Sequence, residues 1–198
     1  MTWLWYNWNS ITGVRKGGTR ALLEMLTLHP SIRMAAQEVH FFDNETNYAR
    51  GYSWYLNQMP NLGPKQMAVE KSPSYLVTPG VAEKIRAMDP TVHLLMIVRE
   101  PVTRLVSDFT QITFNRLEKG LQTRTFDETI IRSDGTVNVD YYGVDTGLYS
   151  SHLERWYQHF PREQVRKQVD LQRVTVHLDS CCKWGPPYQD SVEGNLKD

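Results

Sequence analysis

The run His93-Leu94-Leu95-Met96-Ile97-Val98 is the longest apolar stretch in this chain, and Arg99-Glu100-Pro101 ends it abruptly. Taken with Val92, it is too short for a buried helix and too evenly apolar for a strand with one wet face. It reads as a parallel strand covered on both sides, and parallel strands need crossover connections to return the chain. The rest of the sequence supplies them. Short apolar runs alternate with amphipathic stretches, the pattern of an α/β fold.

Residues 10–14 read as the end of a first strand and lead into a turn, Arg15-Lys16-Gly17-Gly18-Thr19. From Arg20 to Leu28, Leu22, Met25 and Leu26 recur at helical spacing until His29-Pro30. Gln66 to Glu70 reads as a second strand, with Lys71-Ser72-Pro73-Ser74 as the loop after it. Thr78-Pro79 has the chemistry of an N-cap followed by proline at the first helical position, and Val81, Ile85 and Met88 share one face. A helix from about Pro101 would turn Val102, Leu105, Val106 and Phe109 inward. Residues 115–147 read as loop with one short helix. Leu148 to Phe160 reads as a helix presenting Leu153, Trp156, Tyr157 and Phe160, stopped by Pro161. Arg166 to Arg173 is too polar to read as a core strand, whereas Val174, Val176 and Leu178 alternate like one. The stretch with Gly185-Pro186-Pro187 reads as a tail.

Composition excludes several classes. At 198 residues the chain is the size of one domain, so 1–198 is read as a single domain that folds without staples. Cys181 and Cys182 are its only cysteines, too few for a disulfide framework or a four-ligand zinc site. Lys and Arg number 22, as do Asp and Glu, which argues against wrapping a nucleic acid or coating a membrane but allows a local basic cleft. Hydrophobic residues at 40% exclude a disordered chain. No apolar run approaches the roughly 20 residues of a spanning helix. The aromatic start, with Trp3, Trp5 and Trp8, lacks the basic residues that open a signal peptide. A monomer without a membrane span is expected.

A strand feeding a glycine-rich turn that opens a helix is a cradle for phosphate, because glycines admit close backbone N–H contacts and the helix end adds partial positive charge. The pattern here is Gly-x-x-Lys-Gly-Gly-Thr from Gly13 to Thr19. It is not a Walker motif, since the lysine precedes the paired glycines, and the strand at 92–98 ends without an aspartate. By itself such a turn is also an ordinary strand-to-helix connection. Arg99 strengthens the anion reading, because open α/β sheets bind ligands at the carboxyl ends of their strands. Ser107 lies about two helical turns further on. Two anion sites on adjacent units suit a ligand with two separated phosphate-like groups.

Several longer motifs then appear in order: Gly13-Val-Arg-Lys-Gly-Gly-Thr-Arg-Ala-Leu-Leu23, Gln37-Glu-Val-His-Phe-Phe-Asp43, Val69-Glu-Lys-Ser-Pro-Ser-Tyr75, Ile97-Val-Arg-Glu-Pro-Val-Thr-Arg104 and Ser107-Asp-Phe-Thr-Gln111. Over residues 13–164 the chain resembles the heparan sulfate glucosamine 3-O-sulfotransferases, its central region most closely the type 1 members. The resemblance implies a P-loop nucleotide-kinase-like parallel sheet flanked by helices, incomplete at the C-terminal end because residues 165–198 diverge. It implies transfer of a sulfuryl group from 3′-phosphoadenylyl sulfate to the 3-hydroxyl of glucosamine in heparan sulfate, in the Golgi lumen and without a metal. The donor would be held by Lys16, Gly17, Gly18, Thr19 and Arg20 at one end and by Arg99 and Ser107 at the other. Glu38 would be the base and Lys16 the electrostatic catalyst. Arg20, His40, Asp43, Lys71 and Gln111 would face the acidic sugar chain or support the base.

The chemistry of those residue types fits the scheme. An alcohol is a poor nucleophile at neutral pH, and a carboxylate within reach can take its proton as the new bond forms. Glu38 suits that role if Val39, Phe41 and Phe42 raise its pKa, although read alone it is a surface carboxylate. Arg15, Lys16, Arg20, Lys71, Arg99 and Arg104 are expected to converge on one cleft, with Arg104 the most structural of them. The strand before the glycine turn is poorer in β-branched residues than the family pattern. No core strand follows Gln164 as the pattern requires. The alternative to an enzyme is a truncated relative that binds heparan sulfate or nucleotide without turnover.

Overall fold

The apolar run at 93–98 does become a central strand. The computed structural model describes residues 8–169, and in it β4 (His93–Val98) pairs with β1 (Trp8–Gly13) on one side and β5 (Val165–Val169) on the other. β3 (Met67–Ser72) lies beyond β1, and β2 (Ile32–Met34) lies beyond β3. The order β2-β3-β1-β4-β5 is parallel throughout. Every strand therefore ends at the same edge, and each connection must recross a face of the sheet.

Alternate strand residues serve opposite faces. On one face Met67, Val69, Leu95 and Ile97 pack under α1 (Thr19–Leu26) through Leu22, Leu23 and Leu26. On the other, Ala68, Leu94 and Met96 enter a larger core with Val81, Ala82 and Ile85 of α4 (Val81–Met88). Two short helices, α2 (Glu45–Tyr48) and α3 (Gly51–Leu56), carry Tyr48, Trp54 and Tyr55 against Phe41 and Phe42 in that core. The sequence reading did not identify α2, α3 or β2.

The long helix α5 (Pro101–Leu117) follows β4, capped by Glu100, whose carboxylate accepts from the N–H groups of Val102 (3.0 Å) and Thr103 (2.6 Å). Its inner face corrects the expectation. Val102 and Val106 are exposed, and Arg104 and Asp108 are buried in their place. Residues 115–147 hold two short helices rather than one, α6 (Phe126–Ile130), opened by a Thr125–Glu128 capping box, and α7 (Tyr142–Asp145). α8 (Tyr149–Tyr157) covers the larger core with Trp156, whose indole N–H donates to the Leu76 carbonyl at 3.0 Å.

Three further expectations change. Helix α4 starts at Val81 behind Gly80 (φ 79°), not at Thr78. The Thr78 hydroxyl instead donates to the Ser74 carbonyl at 2.9 Å and closes the preceding turn. The polar stretch from Arg166 does form a strand, β5, because backbone pairing with β4 satisfies its peptide groups whatever its side chains are. The strand read at 174–178, the tail and the two cysteines lie outside the described residues. No described helix is long and apolar enough to cross a membrane.

Phe41 is fully buried and stacks on Tyr55 with ring centroids 4.6 Å apart. Phe41→Ala is expected to lower unfolding free energy by about 3–5 kcal/mol. Denaturant titration checks this: the midpoint should fall with the slope unchanged.

Candidate active site

Three strand ends meet at the carboxyl edge of the sheet. After β1 the chain turns through Gly13 to Gly18 into the N-terminus of α1. Gly13 is required there, because a Cβ would stand 2.4 Å from Thr19 Cγ2. Gly18 sits at φ 95°, where a side chain would be strained. Lys16 also takes a left-handed backbone (φ 66°), and the Gly17 N–H donates to the Val14 carbonyl at 3.0 Å.

A buried ion cluster holds this turn from below. Arg104 is fully buried and donates to the Gly143 carbonyl on α7, to Asp108 Oδ2 at 3.3 Å and, weakly, to the Arg15 carbonyl at 3.5 Å. Arg15 Nε lies 2.5 Å from Asp108 Oδ1, a close ion pair more than an aligned hydrogen bond. The glycine turn is thereby tied to α5 and α7 by charge. Arg104 does not line the cleft, which corrects the expectation that it would converge there. Its apolar neighbours on α5 face solvent because the buried ion pair occupies the inner face.

Above this floor lies a cleft of about 790 Å³. Lys16, Gly18, Thr19 and Arg20 line it beside the glycine turn, and Arg99 and Ser107 line it beyond β4. The Tyr149 hydroxyl donates to the Arg99 carbonyl at 2.8 Å and fixes the strand end. Glu38, His40 and Lys71 line the opposite wall. Gly17 is buried within the turn. Gln111 is not among the lining residues; it lies one turn beyond Ser107 on the same helix face and donates to Asn115 at 3.0 Å. Sequence reasoning missed Tyr142, Glu24, Pro73 and Ser74, which also line the cleft. A side cavity of about 310 Å³ continues the groove past Glu38 and Lys71 along Leu23, Met34, Ala36 and Gln37.

Glu38 is the centre of a charged cluster. Its carboxylate forms an ion pair with Lys71 through one oxygen, and His40 Nε2 lies 3.3 Å from the other. His40 Nδ1 in turn meets Asp43 Oδ2 at 2.8 Å. Lys71 is only 9% exposed, so its ammonium is fixed against Glu38 with little competition from solvent. Val39, Phe41 and Phe42 do not form an apolar pocket around Glu38 as expected. All three are buried in the core, and Glu38 faces Lys71 and His40 instead.

Asp43 stands behind His40, its side chain 6% exposed. The hydrogen bond to Asp43 raises the His40 pKa above its ordinary value, against the opposing effect of burial. Burial pushes Asp43 up, but its hydrogen bonds from His40 and Ser74 outweigh this and leave it below the usual carboxylate range. Both shifts favour the charged form of the pair, and the His40 ring turns one nitrogen to each carboxylate. The site thus offers a carboxylate base held between a lysine and a histidine, facing an anion cradle.

The Sulfotransferase domain family model matches residues 10–166. The chain is 50% identical over 155 residues to heparan sulfate glucosamine 3-O-sulfotransferase 5 of Mus musculus, across 78% of this chain and 45% of that protein. It is 42% identical over 156 residues to heparan sulfate glucosamine 3-O-sulfotransferase 3B1 of Mus musculus, across 78% and 39% respectively. The chain spans less than half the length of these relatives. Among solved structures, a sulfotransferase from Alicyclobacillus acidocaldarius superposes with a TM-score of 0.66 at 24% identity, covering 84% of this chain and 74% of that one. The sulfotransferase domain from the curacin biosynthetic pathway gives 0.56 at 14% identity, over 83% and 67%. At these identities the likeness shows the fold alone.

Asp108→Ala strands the buried Arg104 cation and is expected to cost about 3–5 kcal/mol in denaturant unfolding, against about 1 kcal/mol for Arg15→Ala, whose side chain reaches solvent. In an NMR titration of the His40 ring, Asp43→Asn should lower the midpoint more than Glu38→Gln does, because the Asp43 hydrogen bond is the larger raising influence. Stability gained from the raised His40 pKa is present below about 6.5 and is lost as pH rises through the folded-state value. The Asp43→Asn variant should show less of that loss.

Proposed function

This chain belongs to the sulfotransferase domain family, and we propose that it transfers a sulfuryl group from 3′-phosphoadenylyl sulfate to the 3-hydroxyl of glucosamine residues in heparan sulfate. The observation that carries the reading is the Glu38 carboxylate, fixed by Lys71 and His40 across one cleft from the glycine turn. The relatives named for that reaction, at 50% and 42% identity, support this acceptor class. The location we propose is the Golgi lumen, which the family resemblance implies.

The residues divide the work by position. Gly18 and Thr19 present backbone N–H groups at the start of α1, the Gly17 N–H being held by the Val14 carbonyl within the turn, and Lys16 adds a full charge, so this end receives the phosphosulfate. Arg99 and Ser107 suit the donor's second phosphate group. The donor supplies the sulfuryl group and a phosphate leaving group. Lys16 opposes the negative charge that grows on the leaving oxygen, an electrostatic role fixed before reaction begins. Glu38 takes the proton of the attacking hydroxyl. Lys71 and His40 orient its two oxygens, and Asp43 holds the His40 ring. Arg20, together with the side cavity along Met34 and Gln37, gives an acidic sugar chain a path beside the base.

Calorimetry with adenosine 3′,5′-bisphosphate, paired with a turnover assay on heparan sulfate, tests the assignment. Glu38→Gln is expected to bind the bisphosphate normally and to lose about 10²–10⁴-fold in turnover. Lys16→Ala should weaken bisphosphate binding. A native chain that folds cooperatively and binds no bisphosphate, or a Glu38→Gln variant with native turnover, would overturn the proposal.

A further inference from the structure

Lys71 turns toward the cleft, whereas its neighbours Glu70 and Ser72 turn to the opposite face of the sheet and are fully buried. The proposed reaction uses neither. The Ser72 hydroxyl donates to Glu70 Oε1 at 2.5 Å and accepts the backbone N–H of His40 at 3.0 Å. The Tyr75 hydroxyl accepts the N–H groups of Phe41 (3.0 Å) and Phe42 (3.4 Å). From the other side, Asn47 Nδ2 donates to the carbonyls of Val39 (3.2 Å) and His40 (3.1 Å). Every one of these contacts grips the same short turn.

His40 occupies that turn at φ 49°, a left-handed conformation that an L side chain adopts only where its surroundings enforce it. The bend allows the ring to reach Glu38 with one nitrogen and Asp43 with the other. A turn in ordinary extended geometry would send the ring elsewhere. Whatever fixes the bend therefore fixes the register of the base.

Glu70 is the deepest group in this support. Among the described residues its second oxygen, Oε2, has no hydrogen-bond partner, and neither have the hydroxyls of Ser10 and Thr12. Those two are the register partners of Glu70 and Ser72 on the adjoining strand β1. Burial pushes the Glu70 carboxyl up to about 7, with Asp43 above it raising it further and Ser72, Tyr75 and His40 opposing.

We propose that Glu70 is a positioning residue for the base: through Ser72 it locks the left-handed bend at His40 and so sets the register of Glu38, His40 and Asp43 on the cleft wall. The effect on turnover rests on the function proposed above; the effect on the His40 ring does not.

The test uses the whole chain with Ser72→Ala, Glu70→Leu and Glu70→Gln. Three quantities are read: the His40 titration midpoint by NMR, calorimetric affinity for adenosine 3′,5′-bisphosphate, and turnover on heparan sulfate. Ser72→Ala and Glu70→Leu are expected to drop the His40 midpoint toward its ordinary 6.5 and to cut kcat by about tenfold or more. Bisphosphate affinity should stay within about twofold of native. Glu70→Gln has the same shape and keeps an acceptor for Ser72, so it should retain the native midpoint and most of kcat. If Glu70→Leu does not fold, Ser72→Ala and Glu70→Gln decide the matter. A native His40 midpoint in Ser72→Ala overturns the proposal, as does a Glu70→Gln variant whose midpoint falls as far as that of Ser72→Ala. If the native chain binds bisphosphate without turnover, the functional reading fails while the titration still decides this one.

Discussion

Parallel pairing of β1 between β3 and β4 is the constraint on which the site depends. Because all three strands run the same way, the residues that follow them emerge at one edge. The glycine turn follows β1, Pro73 and Ser74 follow β3 with Lys71 just before its end, and Arg99 follows β4. An antiparallel partner at any of these positions would carry its functional residue to the far edge. The sheet therefore assembles an anion cradle and a base from segments up to ninety residues apart in the chain, a separation on the order of that between Arg15 and the Arg104 side chain that reaches its carbonyl.

Polar groups buried beneath that edge do the fine positioning. On the α5 side, Arg104 and Asp108 occupy an inner helix face that an apolar pattern would give to valines. Burying such a pair gains little stability in itself, because desolvation offsets the attraction. Its value lies in geometry: a guanidinium has several donors in a fixed plane, and here they reach both α7 and the backbone of the glycine turn. On the β3 side, Glu70, Ser72 and Tyr75 play the same part for the turn that carries His40. Both supports are polar, directional and inaccessible to solvent, which is what holding a turn to a fraction of an ångström requires.

Much of the arrangement was legible in the order of residues. The alternation of short apolar runs with amphipathic stretches implied an α/β fold; the strand at 93–98 stands where the pattern put it, and the helix read from Arg20 to Leu28 runs from Thr19 to Leu26. The candidate cluster of Lys16, Glu38, His40, Lys71 and Arg99 came from motif resemblance, and the cleft brings those residues together. Hydrophobic pattern misled at α5, where Val102 and Val106 have helical spacing but face solvent. It also hid β5, since an edge pairing made by backbone hydrogen bonds carries little side-chain signal. The short elements β2, α2 and α3 are too brief to show a period.

What sequence alone determined is local: a glycine-rich turn between a strand and a helix, runs whose period selects strand or helix, and residue types able to hold an anion or take a proton. These depend on covalent geometry and side-chain chemistry, which no neighbour changes. Tertiary structure decided which face each residue meets. It set Glu38 between Lys71 and His40 rather than in an apolar pocket, sent Arg104 under the glycine turn instead of into the cleft, and placed Glu70 against Ser72 beneath His40. Those outcomes depend on contacts between segments distant in sequence, and the energy of a charge is set by what surrounds it.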